Sequence, residues 1–168
     1  MKYFELFGIP VSLKVEKASL AKKYFELQKK FHPDYFSQES EAVQADMLEK
    51  AALINKAFKT FQNPDEVIKY VLMEKGLLAE EEKYPLPPDF LMEMMTLNEQ
   101  LAEASMEGGE NLPLIKAGIE DTENEIYLPV QTIIENYKEG VTTIEELLKV
   151  KEYYYKKKYL NRLKEQLK

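Results

Sequence analysis

The single histidine of this 168-residue chain, His32, stands two positions before a carboxylate, Asp34, with Pro33 between them. In an enzyme, an imidazole beside a carboxylate can serve as a general base with its orienting partner. The rest of such an apparatus is missing from the sequence. No serine or cysteine nucleophile motif accompanies the pair, and Pro33 restricts the backbone that would have to align it. A Gly-x-x-x-x-Gly-Lys-Ser/Thr phosphate loop is absent, so the chain is not expected to hydrolyse ATP itself. Glu80-Glu81-Glu82 reads as a solvated charge run rather than a metal site. No catalytic residue, metal site or cofactor is expected, and the His32-Pro33-Asp34 loop reads as a recognition element.

The elements around the loop follow from spacing. Leu20, Tyr24, Leu27 and Phe31 recur at helical intervals and form one apolar stripe. Lys22 and Lys29 fall opposite that stripe, and Lys23 and Lys30 lie on its flank. Because a residue before proline is pushed out of the right-handed helical region, the helix should stop at about Phe31. Ala51, Ile54, Phe58 and Phe61 form a second stripe, and a short helix is expected from Tyr3 to Leu6. The spacing thus writes an antiparallel helical hairpin with the loop at its turn. Asn63-Pro64-Asp65-Glu66 looks like the start of a further helix, with Asn63 as N-cap, running to Gly76.

Residues 77–88, acidic and proline-bearing, read as a connector stiffened by its prolines. Beyond it three helices are expected, roughly Asp89–Met106, Leu112–Tyr137 and Thr143–Leu167, separated by Gly108-Gly109 and by Gly140 with Thr142-Thr143. Pro129 lies inside the middle one and should kink or interrupt it, and Gly118 is a second weak point. In the first of these helices Phe90, Met94, Leu97, Leu101 and Ala104 cluster within about 80° of the helical wheel, enough for a core stripe. Leu91, Met92 and Met95 are apolar too but fall on the far side, beside Thr96, Glu99 and Glu103. Either they form a methionine-rich patch rimmed by carboxylates, suited to receiving a partner, or they pack under the third helix or against the N-terminal unit.

The net charge of −7 is unevenly spread: +3 over residues 1–34, −16 over 35–148 and +6 over 149–168. A basic helix on an acidic protein is suited to steering toward an acidic partner surface, although the same lysines could simply solvate an exposed face. No basic stripe with interleaved aromatics marks a nucleic-acid site. The absence of cysteine removes disulfides and thiolate metal sites. No run approaches the roughly 20 apolar residues needed to cross a bilayer, and the N-terminus carries neither a secretory nor a transit pattern, so a cytoplasmic location is expected.

Tyr3-Phe4, Leu20, Tyr24, Leu27, Lys30, Phe31, His32-Pro33-Asp34, Asn55, Ala57, Phe61 and Pro64 together resemble a J-domain. Tyr3 through Pro10 and the later Phe90-Leu91-Met92-Glu93 resemble the Hsc20 (HscB) family of iron–sulfur cluster co-chaperones, a likeness that extends into the C-terminal half. That resemblance implies an all-α protein: a J-domain over 1–76, the connector over 77–88 and a scaffold-binding three-helix bundle over 89–168. It implies no enzymatic activity. Instead, an HscA-like Hsp70 would be bound through His32, Pro33, Asp34, Lys22, Lys23, Lys29 and Lys30, and its ATPase stimulated. An IscU-like iron–sulfur scaffold protein would be bound through Leu91, Met92, Met95, Thr96, Glu99 and Glu103. The family pattern has leucine and glutamate where this chain has Met95 and Thr96. Family members also place an aromatic scaffold contact on the last helix, where Tyr153-Tyr154-Tyr155 leave the position open, with Tyr154 taken as the candidate. Phe25, about 140° from the stripe of its helix, would meet either the Hsp70 or the second unit. A general J-protein with another client shares the loop but not the patch; against it, no Gly/Phe-rich stretch or zinc-binding cysteines follow the J-domain.

Overall fold

A computed structural model describes residues 1–167; Lys168, the last residue of the expected bundle, lies outside them. All regular structure among the described residues is helical, in two compact units, Met1–Lys75 and Gly76–Lys168. No helix among them is long and apolar enough to cross a membrane.

The first unit holds α1 (Lys2–Phe7), α2 (Lys17–Phe31), α3 (Glu41–Phe61) and α4 (Pro64–Glu74). Its core is built from aromatic rings donated by both ends of the segment. Phe4 and Phe7 meet Phe61 at centroid distances of 5.0 and 5.3 Å, and Tyr3 stacks on Tyr70 at 4.4 Å. The Tyr3 amide also donates to the Tyr70 hydroxyl at 3.0 Å, tying α1 to α4. The hairpin is fastened separately. Tyr24 of α2 stacks on Phe58 of α3 at 3.8 Å, and Asn55 Oδ1 accepts from the Tyr24 hydroxyl at 2.7 Å and from Gln28 at 2.8 Å. Two neighbouring contacts on the same pair of helices fix rotation as well as spacing, which sets where the end of α2 delivers its loop. Asn63 caps α4 as expected, accepting from the amides of Asp65 and Glu66.

The second unit contains α5 (Pro88–Met106), α6 (Leu112–Tyr127), a 3-10 turn over Leu128–Val130, α7 (Gln131–Glu135) and α8 (Ile144–Glu165). The expected middle helix is therefore divided, and the division falls at Pro129, whose missing N–H and ring clash cannot be accommodated in a continuous helix. Gly118 does not break it: the residue stays inside α6, where a β-carbon would lie 3.9 Å from Leu97 Cδ2. The core stripe Phe90, Met94, Leu97, Leu101 and Ala104 is buried against Ile115 and Ile119 of α6 and Leu160 and Leu163 of α8. Polar ties cross the same seams. Thr122 Oγ1 lies 3.1 Å from Glu93 Oε1, and Lys164 Nζ is 2.7 Å from Glu123 Oε1. At the start of α8, Thr143 and Glu146 form a reciprocal capping box.

The connector is held by more than its prolines. Glu82 pairs with Lys151 of α8 at 2.6 Å and accepts from the Ala79 amide at 3.1 Å, while Tyr84 stacks almost flat on Tyr155 at 4.7 Å. Lys151, more than the other contacts, keeps the Glu82 carboxyl below its ordinary 4.5. A carboxylate whose folded-state value is depressed contributes stability that is present above the unfolded value and lost as pH falls through the folded one. Glu82→Gln is expected to lower the melting temperature of the protein near neutral pH. Its difference from wild type should shrink as the pH is taken below 4.5. Thermal melts followed by tyrosine near-ultraviolet circular dichroism check this; a difference independent of pH would mean that the ion pair does not hold the connector.

Candidate functional site

Two surfaces, one in each unit, collect the residues singled out from the sequence. In the first unit α2 ends at Phe31, and His32 takes an extended conformation with ψ 130°, as the following proline demands. Pro33–Phe36 then winds into a 3-10 turn. His32 Nδ1 accepts the Asp34 amide at 3.2 Å, and the His32 carbonyl accepts the Tyr35 amide at 3.1 Å. A nitrogen that accepts an N–H carries no proton, so the 3.6 Å separation from Asp34 Oδ2 is an ion pair only in the imidazolium form. The side chains of His32 and Asp34 are 46% and 89% exposed. The loop therefore presents one imidazole and one carboxylate to solvent on a turn closed by its own backbone.

The lysines divide. Lys22, Lys29 and Lys30 are exposed on α2, Lys29 lying 4.9 Å from the Phe25 ring centroid and Lys30 5.2 Å from that of Phe31. Lys23 is half-buried and donates to the Gly8 carbonyl at 3.3 Å, so it fastens α2 to the end of α1. Phe25 is 62% exposed with Lys29 over its face, which extends the cationic surface by an aromatic ring.

On the second surface α5 divides its circumference. While Phe90, Met94, Leu97, Leu101 and Ala104 are buried, Leu91 is 38%, Met92 67% and Met95 60% exposed. Met92 and Met95 are therefore mostly uncovered, whereas Leu91 is more than half covered. Thr96, Glu99 and Glu103 are exposed beside them, and the Thr96 hydroxyl is already spent on the Met92 carbonyl at 3.1 Å. Glu99 and Glu103 have no ion-pair partner among the described residues. Met106, 89% exposed, continues the stripe to the end of α5. Sequence reasoning missed it, although it stands eleven residues after Met95 at a helical repeat. Tyr154 has to be removed from the surface. It is 7% exposed, with its ring edge against Tyr155 at 5.2 Å, and Tyr153 and Tyr155 are buried as well. Three consecutive tyrosines on a helix with neighbours on several sides leave no free aromatic face there.

A family model described as the HSCB C-terminal oligomerisation domain matches residues 86–168. The co-chaperone protein HscB homolog of Photobacterium profundum is 33% identical over 149 residues, 88% of this chain and 80% of that one. The homolog of Aliivibrio fischeri is 34% identical over 150 residues, 89% and 81% of the two chains. Among solved structures, the chaperone HscB from Vibrio cholerae superposes with a TM-score of 0.78 at 27% identity, covering 99% of this chain and 95% of that one. Human co-chaperone protein HscB superposes at 0.81 and 29% identity, covering 98% and 79%.

Proposed function

Because the chain belongs to the HscB co-chaperone family, we propose that it stimulates ATP hydrolysis by an HscA-like Hsp70 in the cytoplasm and delivers an IscU-like iron–sulfur scaffold protein to it. The observation that carries this reading is the exposed His32-Pro33-Asp34 turn at the end of a lysine-bearing helix. His32 and Asp34 act as docking contacts, Pro33 sets the shape of the turn, and Lys22, Lys29 and Lys30 orient the encounter with an acidic Hsp70 surface. Lys23 supports this face by anchoring α2. A partner shifts a conformational equilibrium only as far as it binds one state better than the other, so the loop must favour the hydrolysis-competent state of the Hsp70.

The scaffold is received on the outer face of α5, by Leu91, Met92 and Met95 with Glu99 and Glu103 along the rim and Thr96 between them. Flexible methionines on an exposed face adapt to a partner's contours, and rim carboxylates select for basic groups. Lacking cysteine, the protein offers no thiolate to a cluster, so the scaffold keeps its own cargo. Holding scaffold and Hsp70 on one chain raises the effective concentration of one for the other.

The test is single-turnover ATP hydrolysis by the organism's Hsp70s, with this protein and with or without the iron–sulfur scaffold. The expected result is stimulation of one Hsp70 that rises further when scaffold is added. Stimulation indifferent to scaffold would leave a J-protein serving a different client, and no stimulation of any Hsp70 would overturn the reading.

A further inference from the structure

An imidazole on a surface turn has side-chain torsions to fix before it can meet a partner, and fixing them at the moment of docking weakens the complex. In this turn His32 Nδ1 accepts the Asp34 amide at 3.2 Å. That bond sets which nitrogen faces the backbone, but a single hydrogen bond is a pivot about which a ring can still swing. A second restraint comes from Tyr35. Its ring centroid lies 6.0 Å from that of His32 with the planes at 68°, the edge-to-face arrangement that aromatic pairs prefer.

The pairing follows from the backbone. In a 3-10 turn side chains at i and i+3 lie over one another, and the His32 carbonyl accepts the Tyr35 amide at 3.1 Å to close such a turn. The turn that Pro33 initiates therefore brings the Tyr35 ring to the His32 ring. Tyr35 itself is 68% exposed, so it adds little to the core of its unit. Its hydroxyl makes no hydrogen bond among the described residues. What the side chain contributes locally is its ring, set against the imidazole.

We propose that Tyr35 is a positioning residue, whose ring holds the His32 imidazole in the orientation that the Hsp70 receives. The inference rests on the reading of the His32-Pro33-Asp34 turn as the Hsp70 contact. It moves the ordering of the imidazole from docking to folding. Without the ring, about three staggered χ1 wells open to His32. An apparent affinity scales with the fraction of the protein in the competent setting, so the expected loss is about threefold.

Single-turnover hydrolysis by the partner Hsp70, titrated with the full chain, tests it. Tyr35→Ala is expected to raise the half-maximal concentration about threefold and to leave the maximal stimulation unchanged, because the imidazole, once bound, reaches the same place. Tyr35→Phe keeps the ring and should behave as wild type. His32 is the single histidine of the chain, so its Hα–Hβ couplings can be followed by nuclear magnetic resonance free of other histidine signals. They should move toward rotamer-averaged values in Tyr35→Ala and stay in place in Tyr35→Phe. Both variants should keep the wild-type melting temperature, since the substituted side chain is exposed. A Tyr35→Ala chain with the wild-type half-maximal concentration overturns the positioning role. So does weaker action with the His32 couplings unchanged, which would mean that Tyr35 touches the Hsp70 itself, and so does an equal loss in Tyr35→Phe, which would assign the effect to the hydroxyl. The reading of the loop is decided separately by His32→Gln: if that variant loses stimulation while Tyr35→Ala matches wild type, only the role of Tyr35 falls.

Discussion

His32→Gln is expected to abolish stimulation of the partner Hsp70 while leaving the protein folded. The imidazole is about half exposed, and its one intramolecular hydrogen bond is the acceptor contact to the Asp34 amide two residues away. Losing one exposed bond of that kind costs about 0.5–1.5 kcal/mol at most. The hairpin is held elsewhere, by Tyr24, Gln28, Asn55 and Phe58, none of which the substitution touches. Circular dichroism and melting temperature should therefore barely change. Docking loses an aromatic ring that presents a flat face together with the Nε2–H edge left free by the Nδ1 contact, a combination the glutamine amide does not reproduce. A fall in single-turnover stimulation of at least about tenfold corresponds to about 1.4 kcal/mol of lost discrimination between Hsp70 states, a magnitude one well-placed contact can supply. A variant that stimulates as well as wild type would show that the loop is not the switching element.

The second large effect is expected from L91A/M92A/M95A. The three side chains lie outside the core stripe, so their truncation opens no cavity and stability should hold. Scaffold affinity is expected to fall about 100-fold, the sum of a few anchor contacts each worth about 1 kcal/mol or slightly less. Stimulation of the Hsp70 in the absence of scaffold should be unchanged, because the loop and the lysines belong to the other unit. Only the additional rise on adding scaffold should disappear. Loss of both activities, or of neither, would contradict the assignment of one partner to each surface.

Much of the fold is legible in the amino-acid sequence because the signals are local. A proline after a helical stripe ends the helix at Phe31, and a proline within another divides it at Pro129, whatever else the chain does. The buried stripe of α5 follows from period alone. What the sequence does not disclose depends on pairs of distant residues. The connector is pinned by Glu82 to Lys151 and by Tyr84 to Tyr155, contacts made across about seventy positions that no spacing rule connects. The expectation of a surface ring at Tyr154 fails for a related reason: on a helix contacted from several directions, period does not say which of three adjacent rings is covered. Gly118 reads in the sequence as a weak point in one helix, yet α6 runs through it unbroken.

The division of α5 has a consequence for how such a protein can diverge. One face, from Phe90 to Ala104, holds the unit together, and the other, from Leu91 to Met106, contributes little to the core. Selection can then act on the two faces almost separately. Substitutions on the outer face are close to neutral for folding, so lineages can drift in which client they prefer without passing through an unstable intermediate. Met95 and Thr96 fall on that permissive side. A client surface that changes in step would be tracked by these positions long before the buried stripe responded.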